Sequence, residues 1–211
     1  MININNAVQF QHLIWDRVMK HANVVVDATC GNGHDLLYLA ERAKKGCHLY
    51  GIDIQMKAIN TSQELLQSND IAEDVSLTFI HDSHDRALAN QLKDEVIDLM
   101  IFNLGYLPGG DHQVITKPHQ TIDAIKEGLE KLSKSGVITI VAYPGTTEGL
   151  EEMQILKSYL TDLEQKLYNV CHWHPMNQIN NPPELFILQK PRDISLFIMN
   201  KTHKKHVKAP L

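Results

Sequence analysis

One glycine-and-carboxylate turn, two carboxylate-bearing strand ends and one asparagine corner supply the chemistry available to this sequence. The first is Asp27-Ala28-Thr29-Cys30-Gly31-Asn32-Gly33-His34-Asp35, which follows the apolar run Val24-Val25-Val26 and precedes a segment of helical spacing, Leu36, Leu37, Leu39, Ala40 and Ala43. Two glycines between a strand and a helix let the backbone turn tightly and approach a ligand with no Cβ in the way. The helix N-terminus beyond them presents unpaired N–H groups. Such a turn can cradle a nucleotide-type cofactor. Twenty residues after Gly33 comes Asp53, at the end of a second strand-like run, where a carboxylate can accept both ribose hydroxyls of an adenosine group. A dinucleotide fingerprint would place a third glycine where this chain has Leu36, which argues against NAD. Asp27 and Asp35 also have a plainer reading, as caps of the turn and the helix.

Two more strand ends bring polar groups to the same crevice. His81-Asp82-Ser83-His84-Asp85 ends the third run, and Ser83 and His84 fall where an adenine would lie; Ser83 alone reads equally well as a helix N-cap. The fourth run ends in Asn103-Leu104-Gly105-Tyr106-Leu107-Pro108-Gly109-Gly110-Asp111. There an amide oxygen and a neighbouring carbonyl can accept the N–H bonds of a target amine and aim its lone pair, while an aromatic ring packs on a planar base. Gly105, Pro108, Gly109 and Gly110 are also plain turn formers.

The elements that must hold these groups alternate. Val24–Thr29, His48–Asp53, Ser76–His81, Ile97–Asn103 and Gly136–Tyr143 are short, apolar and rich in β-branched residues, and helical spacing separates them. Strand-helix alternation predicts parallel strands with crossover helices, hence an α/β, doubly wound sheet. A helix is expected over about Gly149–Lys166, then two strands in succession, Tyr168–His174 and Glu184–Gln189, joined by an Asn/Pro loop. A connection that short permits only antiparallel pairing, so the sheet is expected to end in a reversed edge strand. Ala7–His21 reads as an amphipathic lead-in helix.

Asp27, four residues before Gly31, resembles the acidic residue with which methyltransferases hold the amino-acid portion of S-adenosylmethionine. Asn103-x-x-Tyr106 resembles the Asn-Pro-Pro-Tyr motif of methyltransferases that act on an amino nitrogen, with Leu104 and Gly105 in place of both prolines. The expected sheet is similar to that of class I methyltransferases, mostly parallel and seven-stranded with an antiparallel terminal strand. Together with Asp53-Ile54-Gln55, Ser83-His84-Asp85 and the run Phe102 to Asp111, these features resemble a small bacterial family labelled rRNA methylase, over roughly Phe10 to Lys190. That family is associated with methylating the 5-aminomethyl group of wobble uridine (the MnmM type).

The resemblance implies S-adenosylmethionine as cofactor, held by Asp27, Gly31, Asn32, Gly33, His34, Asp53, Gln55, Ser83 and His84. It implies conversion of 5-aminomethyl-(2-thio)uridine in tRNA to its methylaminomethyl form. Asn103 and Tyr106 would orient the amine, and Asp111 or water would take its proton. Leu107, Pro108, Gly109, Lys117, Tyr143, His174 and Asn181 are the expected substrate contacts, with the tRNA anticodon loop as partner. No membrane partner is expected; a homodimer is compatible.

Composition narrows the alternatives. With 43% apolar and 21% charged residues the chain is expected to form one globular methyltransferase domain over residues 1–190, followed by a basic tail, 191–211. The N-terminus lacks a signal-peptide pattern, and a cytoplasmic protein is expected. Five of the 20 basic residues and one of the 25 acidic ones lie from Pro191 onward, leaving 15 against 24 in the remainder, an acidic body unsuited to coating nucleic acid. Three scattered cysteines suggest free thiols, with Cys30 a weak candidate nucleophile. Among 12 histidines the pairs His81/His84 and His172/His174 lack the partners of a zinc site, so no metal is expected. An rRNA or small-molecule amine methyltransferase and a catalytically silent cofactor- or RNA-binding module remain as rivals.

Overall fold

A computed structural model describes residues 6–105 and 116–191. Tyr106, Leu107, Pro108, Gly109 and Asp111 lie outside the described residues, as does the basic tail from residue 192. The chain order is α1 (Ala7–Val18), β1 (Val24–Asp27), α2 (His34–Ala40), β2 (His48–Asp53), α3 (Met56–Gln67), β3 (Ser76–His81), α4 (His84–Arg86) running into a π-helical turn (Ala87–Gln91), and β4 (Ile97–Asn103). It continues with α5 (Pro118–Lys131), β5 (Leu132–Ala142), α6 (Thr147–Thr161), β6 (Asn169–Trp173) and β7 (Glu184–Gln189). α6 begins two residues before its expected start because the Thr146 hydroxyl caps it, accepting the Gly149 N–H at 3.0 Å.

The seven strands form one sheet in the order β3-β2-β1-β4-β5-β7-β6, parallel from β3 through β5. β7 is the reversed strand, as expected of the last one, but it is not the edge. It pairs antiparallel with β5 on one side and β6 on the other, which leaves β6 at the edge. Composition explains the placement: Leu185, Phe186 and Leu188 of β7 are buried, whereas Asn169, Cys171 and His172 of β6 are exposed, and an edge tolerates the more polar strand.

Side chains alternate between two faces along each central strand, and both faces are covered. Val26, Met100 and Phe102 point to the layer that includes Leu88, Ala124, Ile125, Leu129, Leu156 and Leu160 of the π-turn, α5 and α6. Val25, Leu99 and Ile101 meet Trp15, Leu36, Leu39, Ile59 and Leu66 of α1, α2 and α3. This is why Val24–Val26 and Leu99–Phe102 read as unbroken apolar runs. From β1 the chain winds outward to β2 and β3, then returns beside β1 as β4 and continues the other way. The switch point between β1 and β4 opens a crevice at the carboxyl ends of the strands, where Asp27 and Asn103 sit.

α1 is fixed across the sheet by one polar contact inside the core: Trp15 Nε1 donates to Thr139 Oγ1 at 3.0 Å, and both residues are fully buried. Trp15→Phe leaves the threonine hydroxyl without this partner, so a loss of about 1–3 kcal/mol is expected, read as a lower urea midpoint at an unchanged slope.

Candidate active site at the switch point

The turn after β1 is built around two left-handed residues, Gly31 (φ 51°) and Gly33 (φ 85°). Gly33 N–H donates to Cys30 O at 2.8 Å, and the Ser62 hydroxyl of α3 donates to Gly31 O at 2.9 Å, so the turn lies directly on α3. A Cβ at Gly33 would come within 2.9 Å of the Ser62 Cα, which no side chain can relieve. The missing third glycine has a counterpart elsewhere. Leu36 packs against Gly51 of β2, where a Cβ would lie 2.8 Å from Leu36 Cδ2. The close helix–strand approach is thus provided from the strand, and the Leu36 position remains apolar and fully buried.

Asp53 closes the turn from the side. Its Oδ2 accepts the Gly31 N–H at 3.0 Å and its Oδ1 accepts the Gln55 N–H at 2.8 Å. Burial pushes its pKa up against these hydrogen bonds and the nearby His81. Asp27 is buried at the end of β1. One oxygen accepts the Thr29 N–H at 3.1 Å, as the capping reading expects, while Oδ2 has no partner. Ser83 occupies the N-cap position of α4 but its hydroxyl makes no capping bond; Ser83 Oγ and His84 Nε2 are both buried without partners. Burial lowers the His84 pKa, which keeps its imidazole neutral at physiological pH.

These groups surround a crevice of about 890 Å³, whose lining includes Gly31, Asp53, Gln55, Ser83, His84, Asn103, Tyr143 and Asn181 of the residues expected from sequence. Asn32 and Gly33 belong to the turn behind it, Asp27 is sealed beneath, and His34 is an exposed first residue of α2. Lys117 is exposed ahead of α5, and His174 stacks on His172 with centroids 5.2 Å apart; neither lines the crevice. Cys30 is buried with its thiol pushed strongly up by burial and by Asp27, an environment that suppresses the thiolate. His172 is engaged by Glu184 at 2.5 Å and His81 by Ile54 O at 3.0 Å.

Sequence reasoning missed several participants. Asn103 receives support from three elements. Its backbone N–H donates to Thr29 Oγ1 at 2.7 Å, its Nδ2 donates to Asp35 Oδ2 at 2.8 Å, and its Oδ1 lies 3.5 Å from the amide nitrogen of buried Gln11. Glu152 of α6 lines the crevice and accepts the hydroxyls of Thr116 at 2.7 Å and Thr121 at 3.1 Å; the Thr116 hydroxyl also accepts the Gly105 N–H at 3.0 Å. Burial raises the Glu152 pKa. A signal existed for Gln11 and Glu152, since each is the polar member of a buried stripe at four-residue spacing: Ala7, Gln11, Trp15 and Glu152, Leu156, Leu160.

The donor set fits S-adenosylmethionine. A left-handed glycine at Gly31, a carboxylate at the tip of β2 and two buried polar atoms without partners (Ser83 Oγ, His84 Nε2) line one cavity, and a third such atom, Asp27 Oδ2, lies beneath it. Such orphaned atoms are costly unless a ligand satisfies them. Burial first, then the charge of Asp35, holds the Asp27 carboxyl well above the usual range, against the Thr29 N–H. An acid with a raised folded-state pKa favours the fold while protonated. That contribution is present below its unfolded pKa and lost as pH rises through the folded one. Asp27→Asn is therefore expected to raise the melting temperature of the ligand-free protein at about pH 8, with a gain that shrinks toward pH 4, and to weaken S-adenosylhomocysteine binding in calorimetry.

Comparison with known proteins agrees with this geometry. The model of the family described as "Putative rRNA methylase" matches residues 49–189. The chain is 29% identical over 190 residues to a tRNA (mnm(5)s(2)U34)-methyltransferase, chloroplastic, of Arabidopsis thaliana, covering 87% of this chain and 69% of that protein. It superimposes on the crystal structure of an rRNA methylase of the same description from Clostridium thermocellum with a TM-score of 0.83 at 36% identity, over 89% of this chain and 99% of that one. A methyltransferase of Streptococcus mutans solved in complex with SAH gives a TM-score of 0.78 at 34% identity, over 89% and 99% of the two chains. The seven-stranded sheet is that of the class I methyltransferases. With the glycine turn, the β2 carboxylate and the Asn103 corner in one crevice, the chain belongs to the rRNA methylase family of S-adenosylmethionine-dependent methyltransferases.

Proposed function

We propose that the protein methylates the amino nitrogen of 5-aminomethyl-(2-thio)uridine at the wobble position of tRNA. The observation that carries this reading is the Asn103 amide at the crevice, whose nitrogen end is committed to Asp35 so that its oxygen end is left to accept an N–H. The name of the Arabidopsis relative supports the same nucleoside. In this reading Asp53 accepts ribose hydroxyls, Ser83 and His84 meet the adenine edge, and Asp27 lies toward the amino-acid end. When bound, S-adenosylmethionine supplies an already activated methyl group, so no covalent nucleophile is required of the protein.

The task left to the chain is to place a neutral amine, a positioning effect worth up to about 7–11 kcal/mol. An alkylamine titrating near pH 10.4 costs about 4–5 kcal/mol to neutralise at pH 7. Exclusion of water once the nucleoside docks would disfavour the ammonium form, as would an adjacent sulfonium cation. Asn103 Oδ1 accepts an amine N–H and directs the lone pair. Tyr106 would pack on the base, and Asp111 or water would take the proton. Tyr143 and Asn181 on the rim are assigned to the anticodon loop; Lys117, His174 and Leu107 to Gly109 are assigned there with them. This reading takes cytoplasmic tRNA as the substrate pool; no helix among the described residues is long and apolar enough to cross a membrane.

The acidic body of the chain favours a second reading, a small-molecule amine as acceptor. Mass spectrometry of digested tRNA from a strain lacking the gene separates the two. Accumulated aminomethyluridine supports the tRNA reading, and an unchanged nucleoside profile contradicts it. In the purified enzyme, Asn103→Ala is expected to lower the single-turnover rate about 10²-fold with S-adenosylhomocysteine affinity little changed; an unchanged rate contradicts the assigned role.

A further inference from the structure

The carboxylate that holds Asn103 is itself held. Asp35 Oδ1 lies 3.2 Å from His12 Nε2, while its other oxygen accepts the Asn103 Nδ2–H. The His12 ring is set between aromatic neighbours on two helices, with its centroid 3.8 Å from that of Tyr38 and 4.7 Å from that of Trp15. Tyr38 is pinned in turn: its hydroxyl donates to Asp16 at 2.8 Å, and Arg42, itself bonded to Asp16 at 3.0 Å, lies 3.5 Å from the ring centroid. A chain of contacts therefore runs from α1 and α2 to the amide at the tip of β4.

We infer that Asp35, oriented by His12, is a positioning residue that fixes and polarises the Asn103 amide for its amine acceptor. The inference rests on the function proposed above. An asparagine amide presents two ends of nearly the same shape, one a donor and one an acceptor. An ionised carboxylate only accepts, so Asp35 admits the NH₂ end and repels the oxygen end. The end left for the crevice is Oδ1. The Gln11 contact at 3.5 Å agrees with that orientation and is too long to occupy the oxygen fully. A charge-assisted bond at Nδ2 also draws electron density toward Oδ1, making it a stronger acceptor.

That strengthening is timed to the reaction. As the amine lone pair forms the new N–C bond and the C–S bonding pair returns to sulfur, positive charge moves from sulfur to nitrogen. The amine N–H groups become better donors, and the product ammonium then releases one proton to solvent or a base. An acceptor polarised by a fixed carboxylate gains more in the transition state than in the ground state, the condition for raising a rate rather than an affinity.

The test uses the full-length chain, S-adenosylmethionine and tRNA carrying 5-aminomethyl-2-thiouridine. Asp35→Asn is expected to lower the single-turnover rate tenfold or more, with cofactor affinity and the KM for tRNA little changed. In the Asn103→Ala background the same substitution is expected to cost nothing further, because it acts only through that amide. His12→Phe, which keeps the ring packing, should give a smaller loss in the same direction. Independently of activity, the Asn103 side-chain amide signal in NMR, identified by its absence in Asn103→Ala, should move upfield in Asp35→Asn. An unchanged amide signal, an undiminished rate, or an equal loss in the Asn103→Ala background overturns the inference. A wild-type enzyme that leaves the tRNA unmethylated overturns the substrate reading instead, and the NMR result still decides whether Asp35 holds Asn103.

Discussion

The hydrogen bond from the Gly31 N–H to Asp53 ties the end of β1 to the end of β2, and the architecture of the crevice depends on it. Both partners are needed in unusual states: a backbone in left-handed conformation at Gly31, and a carboxylate held partly out of water at a strand tip. Neither is favourable alone. They are sustained because β1 is paired in parallel with β2 along the whole of β1 and because Ser62 seats the turn from α3. The doubly wound topology then sets β4 beside β1, so that Asn103 meets the same turn through Thr29 and Asp35.

The site concentrates unmet electrostatic demand. Asp27, Ser83 and His84 each carry a buried polar atom without a partner, and Asp27 and Glu152 are carboxyls whose burial raises their pKa. A protein stabilised for its own sake would not keep such groups together. Their cost to the ligand-free fold is the expected counterpart of a binding site whose hydrogen-bonding capacity is completed by the bound molecule. The groups differ in what they offer: acceptors at Asp53 and Asn103, a neutral ring at His84, a hydroxyl at Ser83. That variety suits a zwitterionic nucleoside better than a simple anion or cation.

Much of this was legible in the sequence, for definite reasons. Stretches of strand covered on both faces must be apolar, so Val24–Val26 and Leu99–Phe102 announced themselves, and the polar residues ending them marked the crevice. The order of the last strands was not legible, because a short connection dictates antiparallel pairing without saying which partner lies outside; the burial of Leu185 and Phe186 decided it. Nor could spacing reveal that Gly51 makes room for Leu36, or that Asp35, which reads as a helix-start carboxylate, reaches Asn103 68 positions away. Those are contacts between elements, fixed by sheet register rather than by local pattern.

The central claim is that this crevice brings an adenosyl methyl donor to a tRNA amine. Its most direct test is to incubate purified protein with S-adenosylmethionine and tRNA bearing 5-aminomethyl-2-thiouridine, then digest the tRNA and measure its nucleosides by mass spectrometry. Quantitative appearance of the methylaminomethyl nucleoside, dependent on both enzyme and cofactor, is the predicted result. Recovery of unmodified aminomethyl nucleoside under conditions where the protein demonstrably binds S-adenosylmethionine would contradict it.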